Sequence, residues 1–274
     1  MRTPNLPDLR PNLTSGAQVM QTDEGIWHLE IPPGPKGHYR LAQLDDYSTL
    51  PRRAFPWRPP EAGGALTMSL RARASARNLP GTWGFGLWND PFNLSLGLGG
   101  ASRRFPALPN TAWFFFASPP NYLSFRDDLP AQGALAATFQ SPSLPVPALV
   151  AASPLLTFFF WSPTARLLRR LARRLIHQDA AVLSHDPTDW HTYSLEWRKT
   201  GVLFRVDEAT VFETPTTPNG PLSLVLWIDN QYAALPPRGR LAFGFLPNPE
   251  PAWIEIDHLV MSAKTLIEND AVRY

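Results

Sequence analysis

The sequence of 274 residues contains no cysteine. This absence excludes disulfide bonds, thiolate metal ligands and cysteine nucleophiles together. The six histidines form neither an HxH nor an HExxH pattern, so the sequence predicts no zinc site. We therefore expect neither a metal ion nor another cofactor.

Charged residues are also scarce, at 18% of the chain, and the formal net charge at pH 7 is only +2. So small an excess predicts no nucleic-acid partner. Long apolar runs are lacking too, because the longest run, residues 148–161, includes Ser153, Pro154 and Thr157 and is too short for a membrane span. Prolines interrupt residues 1–13, so we expect no secretion signal and a cytoplasmic location.

Proline and aromatic residues are abundant, with 31 Pro, 16 Phe and 10 Trp. Scattered prolines break helices and central strands, and they favour a β protein rich in loops. Residues 66–73 alternate most clearly, since every second side chain from Leu66 is apolar. Further strands are predicted at residues 83–88, 112–116, 122–125, 134–139, 190–197, 202–206, 222–228, 240–245 and 253–261.

This many short strands predicts an all-β, two-sheet jelly-roll sandwich in a single domain over residues 1–274. Residues 1–24 are predicted as an irregular lead-in. Residues 141–189 are predicted as an insertion with an amphipathic helix at about 163–177, because Ser162 suits the N-cap and Pro163 the first turn. The apolar stripe of this helix comprises Leu167, Leu168, Leu171, Leu175 and Ile176.

The inserted helix allows two interpretations. It could pack over the sandwich, either permanently or as a lid on a ligand groove. It could instead contact a membrane surface or a protein, since interfacial helices combine basic and aromatic side chains. Peripheral membrane contact would use Phe158, Trp161, Arg166, Arg169, Arg170, Arg173 and Arg174.

Three separated segments resemble the concanavalin A-like glycoside hydrolases of the laminarinase and lichenase type. Residues 190–214 read WHTYSLEWRKTGVLFRVDEATVFET and lead to LSLVLWIDN at 222–230; residues 81–88 read GTWGFGLW and residues 253–260 read WIEIDHLV. The resemblance covers about residues 66–140 and 190–262. It implies a curved jelly roll with a ligand groove on its concave face, lined by Trp83, Phe85, Trp88, Trp227 and Asn230.

The chain departs from these hydrolases at the strand that should carry their catalytic carboxylates. Such enzymes use an E-x-D-x-E or E-x-D-x-x-E strand, with nucleophile and acid/base about 5–5.5 Å apart. Here residues 112–118 read AWFFFAS, and alternation puts Trp113, Phe115 and Ala117 at the acid positions. The sequence therefore predicts that the usual catalytic acids are lost.

Two strands end in Asp/Asn pairs beside aromatic residues, at Trp88-Asn89-Asp90 and at residues 227–232. Loops at strand ends commonly bind ligands, although Asp and Asn also stabilise turns. The ligand-binding candidates are Trp83, Phe85, Trp88, Asn89, Trp113, Phe115, Trp227, Asn230 and Tyr232. The weaker catalytic candidates are Asp90, Asp127 and Asp229, of which Asp127 also suits a solvated turn.

We expect a non-hydrolytic or strongly diverged glucanase-like protein that binds, or transforms, an apolar or amphiphilic small molecule in an aromatic groove. An apolar pocket can accelerate a reaction by orientation alone and leave no acid motif. The alternatives are a glycoside hydrolase with relocated acids and a carbohydrate-binding module without chemistry.

Overall fold

The computed structural model describes residues 8–61, 63–91 and 107–264. Two antiparallel seven-stranded sheets face each other, and a short two-stranded hairpin lies beside them. Sheet A has the order β1-β4-β13-β6-β7-β8-β9, and sheet B the order β12-β11-β10-β5-β16-β3-β2. The strands are β1 Arg10–Leu13, β2 Gln18–Gln21, β3 Trp27–Ile31, β4 Leu41–Asp45, β5 Ala65–Ala74, β6 Thr82–Trp88, β7 Thr111–Ala117, β8 Gly133–Gln140, β9 His177–Val182, β10 His191–Arg198, β11 Gly201–Val206, β12 Ala209–Thr214, β13 Ser223–Asp229, β14 Gln231–Ala234, β15 Ala242–Phe245 and β16 Ala252–Lys264.

The main core fills the space between the two sheets. Strand β5 contributes every second side chain to it, as its alternation predicts. Opposite, sheet A contributes alternate residues of β6 and β7, with Phe85 and Phe114 fully buried. The predicted two-sheet sandwich is therefore confirmed.

The insertion between β8 and β9 contains more than the one predicted helix. Helix α1 spans Val146–Ala152, a 3-10 segment spans Ser153–Phe160, and helix α2 spans Ser162–Leu175. Helix α2 confirms the predicted amphipathic helix but ends at Leu175, because β9 begins at His177 and pairs with β8. None of the helices in the described part of the chain is long and apolar enough to cross a membrane.

Two sequence predictions of local structure are wrong. Residues 122–125 form no strand and make only an isolated bridge from Tyr122 to Ala234. The lead-in predicted as irregular contains β1, an edge strand of sheet A, and β2, an edge strand of sheet B. Both are four-residue strands of mostly exposed residues, so neither carries an alternating pattern that the sequence could reveal.

Two glycines in β6 let aromatic side chains of the neighbouring strands lie across that strand. A Cβ atom at Gly84 would lie 2.3 Å from the Phe114 carbonyl oxygen and 2.9 Å from Trp227 Cη2. A Cβ at Gly86 would lie 2.5 Å from the Trp113 Cα. Real Cβ atoms do not tolerate such distances, so β6 carries no side chain at these two outward positions because larger residues do not fit.

Replacement of Gly84 by alanine should therefore destabilise the sandwich. We expect Gly84→Ala to lower the free energy of unfolding by about 1–3 kcal/mol, since the added methyl overpacks the strand. Urea denaturation measures this loss. The control Thr210→Ala, on exposed β12, should change stability by less than about 0.5 kcal/mol. Equal stability of the two variants would contradict the close approach at Gly84.

Candidate functional site

A second apolar cluster lies on the outer face of sheet A, away from sheet B. Its base, here called the aromatic floor, consists of Trp88, Trp113, Phe115 and Trp227. These side chains come from β6, β7 and β13, which are adjacent in the sheet. Strand register puts Trp113 opposite Gly86 and both Phe115 and Trp227 opposite Gly84, and the Trp227 ring lies over Gly84.

The rings of the floor contact one another closely. The centroid of Trp113 lies 5.0 Å from Phe115 and 5.4 Å from Trp227, and Trp88 lies 6.2 Å from Trp113. The residues Trp113, Phe115 and Trp227 are only 5–8% exposed. The Trp227 indole donates a hydrogen bond to Thr82 Oγ1 at 3.0 Å, whereas the buried Trp113 Nε1 has no hydrogen-bond partner among the described residues.

The insertion and the loop after β7 cover this floor. Ile176, directly after α2, belongs to the same cluster, and Ala172 of α2 packs against it. Leu123 and Phe125 of the loop after β7 pack against it as well. Near the middle of the insertion, Leu241 N donates a hydrogen bond to the Phe159 carbonyl oxygen at 2.8 Å. The insertion therefore forms a roof that is attached at Phe159 and at the C-terminal end of α2.

Arg169 fastens α2 to the sandwich. The residue is 4% exposed, and its guanidinium donates to the carbonyl oxygens of Ser124 and Leu235 and to Asp127 Oδ1, the last at 2.6 Å. The guanidinium also lies 5.4 Å from the ring centre of Tyr122. Arg169 therefore cannot reach a membrane surface, which corrects one predicted contact. Asp127 is the ion-pair partner of this arginine.

Asp229 lies buried beside the floor, at the end of β13. Its carboxylate accepts hydrogen bonds from Thr82 Oγ1 at 2.8 Å, from the backbone N–H of Gln231 at 3.2 Å and from the Tyr39 hydroxyl at 3.5 Å. Burial raises the pKa of Asp229 to about 7, against the opposing effect of these hydrogen bonds. Near neutral pH this group is therefore able to hold or release a proton.

Asp45 is a second buried carboxylate on the same face, and sequence analysis missed it. It accepts hydrogen bonds from Gln43 Nε2 at 2.8 Å and from the backbone N–H of Ser48 at 2.7 Å. The signal was present as a carboxylate after an apolar strand and before Tyr47-Ser48, a pattern that also suits an ordinary turn.

The carboxylates do not converge into a catalytic pair. Asp45 is opposite Val225, four residues from Asp229, so their backbones lie about 13 Å apart along the strand. Asp229 is opposite Thr82 at one end of β6, whereas Asp90 follows the other end of that strand. Among the described residues, moreover, no group of three or more His, Asp or Glu side chains could hold a metal ion.

Several predicted ligand-binding residues have other positions. Trp83 and Phe85 lie between the sheets, because Gly84 and Gly86 take the outward positions next to them on β6. Trp83 stacks on Phe116, with 3.6 Å between ring centres. Their predicted position on the outer groove is therefore wrong, because alternation identifies the two faces of a strand without telling which face lies inside.

The two predicted asparagines are buried and bind backbone groups. Asn230 Oδ1 accepts from the Arg40 N–H at 2.8 Å, and its Nδ2 donates to carbonyl oxygens of two loops. Asn89 Nδ2 donates to the Leu108 carbonyl oxygen at 2.8 Å. These hydrogen bonds give both amides a structural role, and the ligand-binding role stays a prediction. Tyr232, half-buried on β14, lies over Gly244 of the hairpin.

A separate cavity of about 330 Å³ opens elsewhere in the molecule, lined by Trp83, Phe116 and His185 among others. His185 Nε2 lies 2.6 Å from the Tyr193 hydroxyl. Burial and the nearby His191 lower the pKa of His185 to about 4, so the ring is neutral at pH 7. Sequence analysis gave no reason to select His185, since its surroundings come from distant strands.

No protein-family model and no curated protein sequence matches the chain. Solved structures with a similar fold include LamAcat from Zobellia galactanivorans, at 13% identity over 89% of this chain and 79% of that chain, with a TM-score of 0.44. The Bacillus licheniformis β-glucanase matches at 11% identity over 96% and 95%, with a TM-score of 0.47. A lichenase from a mouse hindgut metagenome matches at 11% identity over 93% and 92%, with a TM-score of 0.47.

These similarities concern the fold alone and carry no evidence about activity. The chain itself forms a two-sheet β-sandwich, and Trp113 and Phe115 of β7 lie on the outer face of sheet A.

The raised pKa of Asp229 predicts a specific dependence of stability on pH. Between its ordinary value of 3.8 and about 7, the folded protein holds a proton that the unfolded chain has lost, so stability falls as pH rises. Asp229→Asn removes this pH-dependent loss of stability, because the asparagine side chain does not titrate. Urea denaturation from pH 4 to 8 should show the wild type losing on the order of 4 kcal/mol relative to the variant. A difference independent of pH would contradict the assignment.

The contacts of Arg169 predict that it holds the roof in place. Arg169→Ala should release α2 and speed proteolysis within residues 146–175, because three hydrogen-bonded groups lose their partner. Limited trypsin digestion followed by mass spectrometry measures the rate. The matched control is Arg170→Ala, which removes an exposed neighbour of the same type. Equal cleavage in both variants would show that Arg169 does not anchor the helix.

Proposed function

We propose that this protein binds an apolar or amphiphilic small molecule, such as a lipid or an isoprenoid, between the aromatic floor and the inserted helix. The floor presents a broad apolar surface, and ligand sites are predominantly lined by aromatic and hydrophobic side chains with few polar groups. The aromatic floor itself is the observation that carries the proposal.

The polar groups at the edge of the floor support an amphiphilic ligand. Asp229, Thr82 and Tyr39 form a hydrogen-bonded group at one end, beside the Trp227 indole. The Trp113 Nε1 donor is buried among apolar rings without a partner in the described structure. An unsatisfied buried donor is costly, and a carbonyl or hydroxyl oxygen of a ligand would satisfy it.

The way the roof covers the floor is an argument for a gated site, in which the cover has to open before a ligand enters. The rings are almost fully covered in the closed arrangement, so a ligand has to displace part of the insertion or of the loops above the floor. Helix α2 has few buried residues, namely Ala165 and Arg169, and its attachment therefore depends on a small number of contacts. Segments with few buried apolar contacts open at low free-energy cost.

Retaining hydrolysis has no support in the geometry of this face. No carboxylate occurs in β7, and the two buried carboxylates of the face lie much farther apart than the 5–5.5 Å that a retaining pair needs. We propose accordingly that the protein does not release sugars from laminarin or lichenan. Turnover of either glucan would favour the glycosidase alternative.

Binding of cis-parinaric acid, a fluorescent fatty acid, tests the proposal. We expect saturable binding with energy transfer from tryptophan, and at least a tenfold weaker Kd in Phe115→Ala, because the ligand loses a ring of the floor. Native mass spectrometry of freshly purified protein should show a co-purifying apolar molecule.

The matched control is Trp253→Ala, which removes a half-buried ring of sheet B, and its Kd should stay within twofold of the wild type. Circular dichroism and thermal melting establish that each variant is folded. Absence of saturable binding in the wild type, or equal losses in Phe115→Ala and Trp253→Ala, would overturn the proposal.

A further inference from the structure

The exposed side of α2 divides into two stripes. At 3.6 residues per turn, Leu167, Leu171 and Leu175 lie on one flank, and the residues are 44–49% exposed. Arg166, Arg170, Arg173 and Arg174 form the adjacent flank, and all four are exposed. Three residues of the predicted apolar stripe thus face solvent, whereas Ile176, after the helix, is buried and Ala165 and Arg169 face the sandwich.

The segment before the helix exposes further large apolar side chains. Trp161, which precedes the first residue of α2, is 63% exposed, and Leu155, Phe158 and Phe160 are exposed as well. Exposed apolar residues scattered singly over a surface need no explanation, but this set is concentrated in one continuous insertion. Tryptophan and phenylalanine beside arginine are typical of helices that lie in a membrane interface.

The charge of the insertion has one sign only. Between Asp128 and Asp179 the sequence contains no acidic residue. The acids of the nearby loop are already engaged, because Asp127 pairs with Arg169 and Asp128 pairs with Arg126. The four exposed arginines therefore repel one another along the helix, and an anionic surface would relieve that repulsion.

We infer that the insertion docks the protein on an anionic lipid bilayer. The leucine stripe and the exposed aromatics enter the interface, while Arg166, Arg170, Arg173 and Arg174 contact lipid phosphates. A protein groove would also accept a leucine stripe, but a flank of four arginines with no acid favours a continuous anionic surface over a local groove. This inference does not depend on the proposed ligand site.

Flotation with vesicles tests the docking surface. The probes are vesicles of phosphatidylcholine alone and of phosphatidylcholine with 30% phosphatidylglycerol, at 50 mM and 500 mM NaCl. We expect binding to the anionic vesicles at low salt, at least tenfold weaker binding to the neutral ones, and a large loss at high salt, because salt screens exposed charges.

Two sets of substitutions separate the contributions of charge and apolar surface. Arg166→Gln, Arg170→Gln, Arg173→Gln and Arg174→Gln combined should weaken binding at least tenfold, and so should Leu167→Ser, Leu171→Ser and Leu175→Ser combined. The charge-matched control combines Lys36→Gln, Arg53→Gln, Lys199→Gln and Lys264→Gln, all exposed outside the insertion. Its binding should stay within threefold of the wild type. Circular dichroism and thermal melting show whether each set is folded.

Three results would overturn the inference. The wild type could ignore anionic vesicles at 50 mM NaCl, or the control set could lose as much binding as the arginine set, which would show a non-specific charge effect. Light scattering could instead reveal a dimer that the leucine substitutions dissociate, with no vesicle binding in either form. That outcome would assign the stripe to an interface between copies of this chain.

Discussion

The outer face of sheet A depends on the close approach of aromatic rings to the bare backbone of β6. Gly84 and Gly86 leave room that the side chains of Trp227 and Trp113 occupy, and a Cβ at either position would collide with a neighbouring strand. Because the rings lie over this strand, they pack against one another instead of projecting into solvent. The aromatic floor, which is the apolar surface that the insertion covers, therefore depends on the space left by the absent side chains of Gly84 and Gly86.

The two sides of the amphipathic helix α2 have different roles, since the inner side attaches the helix and the outer side is exposed. Its inner side carries Arg169, a charged residue that satisfies two backbone carbonyls and one carboxylate under the roof. Its outer side leaves leucines and four arginines in solvent. Burying a cation requires paired and hydrogen-bonded surroundings, which the loop at Ser124 and Asp127 supplies. The helix is thus held by polar contacts, and its apolar stripe remains available.

The polar residues of the outer face act locally and not as one catalytic group. Asp45 is saturated by its own turn and by Gln43, and Asp229 is neutral for part of the physiological pH range because burial raises its pKa to about 7. Their separation along the strands prevents a joint acid/base role. The proposed ligand, an apolar molecule with one polar end, matches the composition of this face, whereas the His185 cavity has a different set of lining residues.

The sequence by itself determined the sandwich and the amphipathic helix, because alternation, proline spacing and helical periodicity are local patterns. Alternation also put Trp113 and Phe115 on one face of their strand. Only the tertiary structure decided that Trp83 and Phe85 lie inside, since a period of two gives the same pattern whichever side is buried. It likewise decided that Arg169 is buried while its neighbours are exposed, because that depends on carbonyl groups of Ser124 and Leu235, which are remote in the chain.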